Sequence, residues 1–232
     1  MRNKIYATFD EAVADIPDDV TVMVPGFGGV GIPRNLVSAL SRQGAKKLTV
    51  ISNGHGVIDD NVDVGTLVEN NQVKKMFCAF TAPTHPSVIT PFVQKYNDGE
   101  LEAELLPQGT LAERIRAAAS GIGGFYTPAS VGTELAEGKE HREINGRNYV
   151  LEFALHADYA FVRAWKADKL GNLQFRMAGR SFNPIMAMAA KTTIVEVEND
   201  ILEPGELDPD HIHVPGVYVH RLVLIPEDGI WV

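Results

Sequence analysis

The stretch Val20-Thr21-Val22-Met23-Val24-Pro25-Gly26-Phe27-Gly28-Gly29-Val30-Gly31-Ile32-Pro33 decides how the rest of the chain is read. Its first five residues are dense in β-branched side chains and read as a strand, stopped by Pro25 and a glycine-rich turn. Pro33 stands where the first turn of a helix tolerates it, and Leu36, Val37 and Leu40 then form an apolar stripe that closes at Gly44. Between strand and helix, Gly26-Phe27-Gly28-Gly29-Val30-Gly31 satisfies G-x-G-x-x-G, the setting of a dinucleotide site. Such glycines let the backbone approach a phosphate or thioester, while the helix N-terminus offers unpaired N–H groups. Two details count against nicotinamide or flavin. Ile32-Pro33 interrupts the fingerprint helix, and the next strand ends in Ser52-Asn53-Gly54 rather than in a ribose-binding acid. A tight strand-to-helix turn without a ligand is the alternative reading.

The alternation continues on both sides. Upstream, Thr8 with Glu11 has capping-box spacing and opens a helical pattern, Phe9 to Val13, that stops near Pro17. Downstream, Leu48 to Ile51 and Val73 to Phe80 are strand candidates, Leu101 to Leu105 alternates with period two, and Thr110 with Glu113 forms a second capping box opening a helix from Leu111 to Ala119. This rhythm predicts an α/β fold with an open, mostly parallel sheet and crossover helices in the first half. After a break at Gly121-Ile122-Gly123-Gly124 the second half becomes β-rich. Asn145-Gly146, between Glu143-Ile144 and Tyr149-Val150-Leu151, predicts a hairpin. Tyr159 to Ala164, Thr193 to Val197 and Val217 to Val223 are further strands, and one helix spans Pro184 to Lys191. Asp200 to Pro215, with its three prolines, reads as a surface crossover loop. A single domain over residues 1–232 is expected.

Composition narrows the functions available. With 232 residues and 45% apolar content the chain can build a full core. Thirty acids against 21 bases give a net charge of −9 with no basic stripe, which argues against a nucleic-acid surface. Apolar runs are strand-sized, short of the roughly 20 residues a membrane helix needs. The N-terminus carries no export signal, and the single cysteine, Cys78, excludes an internal disulfide and sits in an apolar run as a core residue. A cytoplasmic location is expected.

Three polar loops fall at the carboxyl ends of predicted strands, the edge where ligands gather in open α/β sheets. The first is Gly26 to Gly31. The second is Ser52-Asn53-Gly54-His55-Gly56, where Asn53 can donate from its amide and His55 can titrate near neutral pH; an Asn-Gly turn with an exposed histidine is the bland alternative. The third is Pro107-Gln108-Gly109, whose glutamine amide could stabilise an oxyanion, worth on the order of 3 kcal/mol when preorganised. A simple turn residue is the alternative there. No G-x-S-x-G, H-E-x-x-H, P-loop or paired-cysteine spacing occurs, and His211-Ile212-His213 lacks a third ligand and reads as a solvated loop, so no metal is expected. Glycine loops and amides without a nucleophile suggest an incomplete active site.

These residues resemble the class I CoA-transferases of the 3-oxoacid type. The likeness runs from Val22–Pro33 through Ser52-Asn53, residues 107–116 and 124–128, Asp158-Tyr159-Ala160, residues 164–168 and 187–192, to residues 212–221. Residues 136–140 and 183–189 look most like 3-oxoadipate CoA-transferases. Three places depart from the usual pattern: Pro25 replaces a glycine, Ser52 to Gly56 replaces the commoner Ser-Asn-Asn-x-Gly, and Thr81-Ala82-Pro83-Thr84-His85-Pro86-Ser87 differs from the succinyl-CoA:acetoacetate version.

The resemblance implies an alpha subunit that works with a beta subunit, as a heterodimer or a dimer of heterodimers. A glutamate on the beta subunit would attack an acyl-CoA in a ping-pong mechanism. Succinyl-CoA or acetyl-CoA would donate to a short 3-oxo or dicarboxylic acid, with coenzyme A as substrate and no cofactor. It further implies Gln108 as the oxyanion donor, with Gly26, Phe27, Gly28, Gly29, Val30, Gly31, Asn53 and Gly54 near the thioester. An acyl-CoA hydrolase on the same scaffold, or a non-catalytic sugar-phosphate-binding sensor, are the competing readings.

Overall fold

The computed structural model describes residues 3–56, 62–81 and 89–226. The strand that opens the sequence argument is β1 (Thr21–Val24). Val22 and Val24 pack into one apolar layer and Met23 into another, so this strand is buried on both faces and has no polar alternation to show. Before it, α1 (Phe9–Val13) starts at Thr8, whose hydroxyl accepts from the Glu11 N–H at 3.1 Å, while the Glu11 carboxylate accepts from the Ala7 N–H at 3.3 Å. After it, α2 (Arg34–Gln43) ends at Gly44 in the left-handed conformation that suits glycine.

The first half is completed by β2 (Leu48–Ser52), α3 (Val64–Glu69), β3 (Val73–Cys78), α4 (Pro91–Asn97), β4 (Glu102–Leu105) and α5 (Gln108–Ala119). The sequence reading has no counterpart for α3 and α4, which are too short to show a full apolar repeat. Their ends are fixed by side chains instead: Asp63 accepts from the Gly65 N–H at 2.7 Å, and the Thr90 hydroxyl accepts from the Val93 N–H at 3.3 Å ahead of Pro91.

The Gly121 to Gly124 break is shorter than predicted, because Gly124 already pairs with Phe153. There β5 (Gly124–Thr127) joins β6 (His141–Ile144) and β7 (Arg147–Phe153) in a small antiparallel sheet ordered β5-β7-β6. Asn145 and Gly146 both take positive φ, 51° and 77°, forming the predicted hairpin turn. Further on come β8 (Ala157–Ala164), β9 (Lys166–Asp168), β10 (Leu173–Gln174), α6 (Asn183–Ala189), β11 (Ala190–Val197), β12 (Ile201–Leu202) and β13 (Arg221–Leu224). The predicted strand from Val217 begins four residues late. Gly216–Tyr218 is a 3-10 turn instead, and a Cβ at Gly216 would run into the Leu170 carbonyl oxygen, so the chain is pressed too close to residue 170 to run straight. Within the predicted 200–215 loop, β12 pairs with β9 in a second small sheet ordered β10-β9-β12.

The β-rich second half is not a separate layer. β8, β11 and β13 extend the first-half sheet into seven parallel strands ordered β13-β11-β8-β1-β2-β3-β4. Helices α1 to α4 cover one face through Val13, Leu36, Val37, Leu40, Leu67 and Phe92, and α5 and α6 cover the other through Leu111, Ile115 and Met186. Cys78 is fully buried in the first layer, and that burial pushes its thiol up to about 12. Strand order reverses at β1, which has β2 on one side and β8 on the other. That reversal opens a crevice beyond the carboxyl ends of the strands. No helix among the described residues is long and apolar enough to cross a membrane.

Candidate active site at the carboxyl edge of the sheet

The glycine stretch leaves β1 at this reversal point and forms a two-residue hairpin. The Phe27 N–H donates to the Val30 carbonyl at 3.0 Å and the Val30 N–H to the Phe27 carbonyl at 3.1 Å. Gly28 and Gly29 between them have φ of 56° and 87°, and Phe27 and Val30 stand 55% and 46% exposed on the fingertip. Gly31 anchors the base, since a Cβ there would sit 2.7 Å from the Gly179 carbonyl oxygen. Gly31→Ala, at φ 74°, is therefore expected to lower stability by about 1–3 kcal/mol, read as a fall in the urea midpoint.

The dinucleotide alternative fails on the helix that follows. Pro33 at the start of α2 has no capping side chain, and the cap comes from near the C-terminal end of β11. Glu196 Oε2 accepts from the Asn35 N–H at 3.0 Å and the Leu36 N–H at 3.1 Å, with Arg163 3.6 Å away. The N–H groups expected to receive a phosphate are thus filled by the protein's own acid, which is fully buried. Burial pushes Glu196 up to about 7, against the opposing pull of Arg163 and the α2 amides.

The second and third loops meet each other. Gln108 is the first residue of α5 rather than part of a preceding loop: Pro107 starts the helix and Thr110, read as its cap, is a buried residue of the first turn. Gln108 Nε2 donates to Asn53 Oδ1 at 2.7 Å, which spends one of its two N–H donors and leaves the second. Gly54 uses its backbone in a bridge to Phe80. His55 is not the exposed titrating group of the sequence reading. It is buried beside Phe92 with Nδ1 3.1 Å from the Phe80 carbonyl oxygen, and desolvation holds its pKa below the ordinary imidazole value. The segment from Ala82 to Ser87 lies outside the described residues. His213 Nδ1 accepts from the Phe175 N–H at 2.9 Å and His211 pairs with Asp208; no metal-holding group of three or more His, Cys, Asp or Glu occurs among the described residues.

Between fingertip and helices lies a cleft of about 330 Å³ lined by Phe27, Ala112, Ala178, Ser181, Phe182 and Ile185. Ala112 is one turn beyond Gln108, so the helix that carries Gln108 also contributes to the cleft wall from the same face. The sequence reading missed Ser181, Phe182 and Ile185. The helix read from Pro184 marks the element there, but nothing in the sequence marks a wall. Glu196 was more visible, as a lone acid inside the β-type run from Thr193 to Val197.

Comparison with known families decides the kinship: the Coenzyme A transferase family matches residues 6–224. The chain belongs to the coenzyme A transferase family. The A subunit of the probable succinyl-CoA:3-ketoacid coenzyme A transferase of Bacillus subtilis (strain 168) is 51% identical over 221 residues, covering 95% of this chain and 90% of that protein. The A subunit of the 3-oxoadipate CoA-transferase of Pseudomonas putida is 48% identical over 225 residues, covering 97% and 95%. The crystal structure of an acyl-CoA transferase from E. coli O157:H7, in a thioester complex with CoA, matches 98% of this chain with a TM-score of 0.80 and 21% identity. At that identity the likeness shows the fold alone, and this chain spans half the length of that protein. The CoA-transferase resemblance and the fold class read from the sequence are both borne out.

Proposed function

We propose that this CoA-transferase chain is the alpha subunit of a heteromeric enzyme. It moves CoA from succinyl-CoA or acetyl-CoA to a short 3-oxo or dicarboxylic acid, with the nucleophilic glutamate on the beta subunit. The observation that carries this reading is the cleft itself, whose lining holds no carboxylate, while α5, which contributes Ala112 to that lining, also carries Gln108 hydrogen-bonded to Asn53. A site with an oxyanion donor and an acyl-sized apolar wall but no carboxylate nucleophile is completed from outside. Both relatives above are A subunits by name, and this chain covers half of the solved acyl-CoA transferase; both facts support a second polypeptide.

In this reading the beta subunit's glutamate attacks the thioester carbonyl and CoA leaves as thiolate, giving an acyl-glutamyl anhydride. The thiolate then attacks the glutamyl carbonyl, releasing the carboxylate and leaving a glutamyl-CoA thioester for the acceptor acid. Gln108 donates its remaining N–H to the oxygen that gains charge in each step, and Asn53 keeps the amide turned toward it. CoA is substrate throughout, and no further cofactor takes part. Co-expression with a candidate beta subunit, followed by an exchange assay over a panel of short acids, tests the proposal. Exchange that needs both chains and an acceptor acid is expected. Loss of acyl-CoA without any acceptor would make the protein a hydrolase, and no turnover with any acid would overturn the reading.

A further inference from the structure

Ser181 combines three features that its place in the fold does not require. Its backbone has φ 36° and ψ −133°, a conformation that favours glycine. Its Oγ is buried and has no hydrogen-bond partner. It also contributes to the cleft whose other lining residues, Phe27, Ala112, Ala178, Phe182 and Ile185, are all apolar.

The strain is held in place by a fully buried neighbour. Asn183 Oδ1 accepts from the Arg163 N–H of β8 at 2.8 Å, and Asn183 Nδ2 donates to the carbonyls of Gly31 and Gly179, both at 2.9 Å. Asn183 therefore ties the base of the glycine hairpin to the 3-10 turn Met177–Arg180. That turn begins at Met177, with φ 48°, and is followed directly by Ser181. A buried hydroxyl without a partner is costly to leave unmade, and here nothing holds it in its recorded rotamer. Turning about χ1 can present it to an oxygen lodged in the cleft. A single polar group in an apolar pocket fixes orientation and selects among ligands.

We propose that Ser181 is a specificity-determining residue that donates its hydroxyl to the second oxygen function, a keto or distal carboxylate oxygen, of a short acid bound in this cleft. The inference rests on the CoA-transferase reading above and adds to it the group that recognises the acid. The test compares wild type, Ser181→Ala and Ser181→Gly, each in complex with the beta subunit. Acetoacetate and succinate serve as acids carrying a second oxygen function, and butyrate as an acid lacking one. Ser181→Ala is expected to lower kcat/KM for acetoacetate and succinate about 5- to 10-fold, through KM, while butyrate stays within twofold. The melting temperature should not fall, because the hydroxyl has no partner to lose. Ser181→Gly, which also relieves the positive φ, should melt higher than wild type and show the same loss of selectivity.

An equal fall for all three acids, or no change, overturns the proposal. If the wild-type complex exchanges no CoA, the functional reading fails separately, and calorimetric binding of the same acids to the same complexes decides the role of Ser181. Tighter binding of acetoacetate than butyrate, levelled in Ser181→Ala, supports it. Equal affinities, or no binding of any acid by the wild-type complex, overturn it.

Discussion

Glu196→Ala is expected to destabilise the protein by about 3–5 kcal/mol, measured as a drop in the urea unfolding midpoint. Glu196 is fully buried near the C-terminal end of β11 and serves two partners at once, the opening amides of α2 and the Arg163 guanidinium. Its removal leaves the Asn35 and Leu36 N–H groups without an acceptor and Arg163 with Glu198, at 2.8 Å, as its remaining carboxylate. Glu196→Gln keeps an acceptor oxygen in the same place and is expected to cost far less. The two variants also separate in pH dependence. The folded-state pKa of Glu196 is raised to about 7 from an ordinary 4.5, so the folded protein holds this proton more tightly than the unfolded chain. The contribution of the group to stability is therefore fully present below about pH 4.5 and is lost as pH rises toward 7. A series of urea midpoints across that window should fall in wild type by a component that Glu196→Gln lacks. Equal slopes in the two proteins would show that Glu196 is already ionised in the fold.

Gln108→Ala is expected to lower kcat of the two-subunit enzyme by about 10²-fold or more, with only a small fall in melting temperature from the lost bond to Asn53. The stability loss stays small because Gln108 opens α5, is exposed, and alanine is the better helix former, which offsets part of the bond lost at Asn53. The size of the kinetic effect depends on the beta subunit, because an amide N–H in contact with water stabilises an oxyanion far less than one from which water is excluded. Rates should therefore be compared in the complex. Retention of the wild-type rate there would remove Gln108 from the mechanism.

Much of the architecture was legible because it rests on local patterns. Val22-Met23-Val24, the stripe Leu36-Val37-Leu40 with Gly44, and Asn145-Gly146 each carry a signal within a few residues. What escaped depends on distance along the chain. α3 and α4 are too short for periodicity and stand on their N-terminal caps, a reciprocal Asp63–Thr66 pair for α3 and Thr90 for α4. The start of α5 was misplaced because Thr110 and Glu113 have capping-box spacing, while Pro107 sets the true boundary. The glycine stretch suggested a phosphate cradle until Glu196, 161 residues from Asn35, filled the amides. Asn53 and Gln108 were each singled out from their loops, but their contact across 55 residues comes from parallel strand order, which no local motif encodes. Ser181 carried no signal at all, since its peculiarity lies in a backbone angle and a missing partner.

The strand order also governs how the polypeptide matures. β1 lies at the centre of the finished sheet, yet its second neighbour is held by contacts such as that from the Thr21 N–H to Asp158 Oδ2, at 3.0 Å and a separation of 137 residues. At 5–20 residues per second, a ribosome needs roughly 10 s to synthesise that interval. Throughout it, the first four strands can pair while the most apolar edge of the molecule stays open. Such an edge recruits other unpaired strands, and its late closure puts the fold among the slow ones. The nascent first half is thus the species that needs chaperone cover, and a polypeptide truncated before Ala157 ends with its central strand as an unpaired edge.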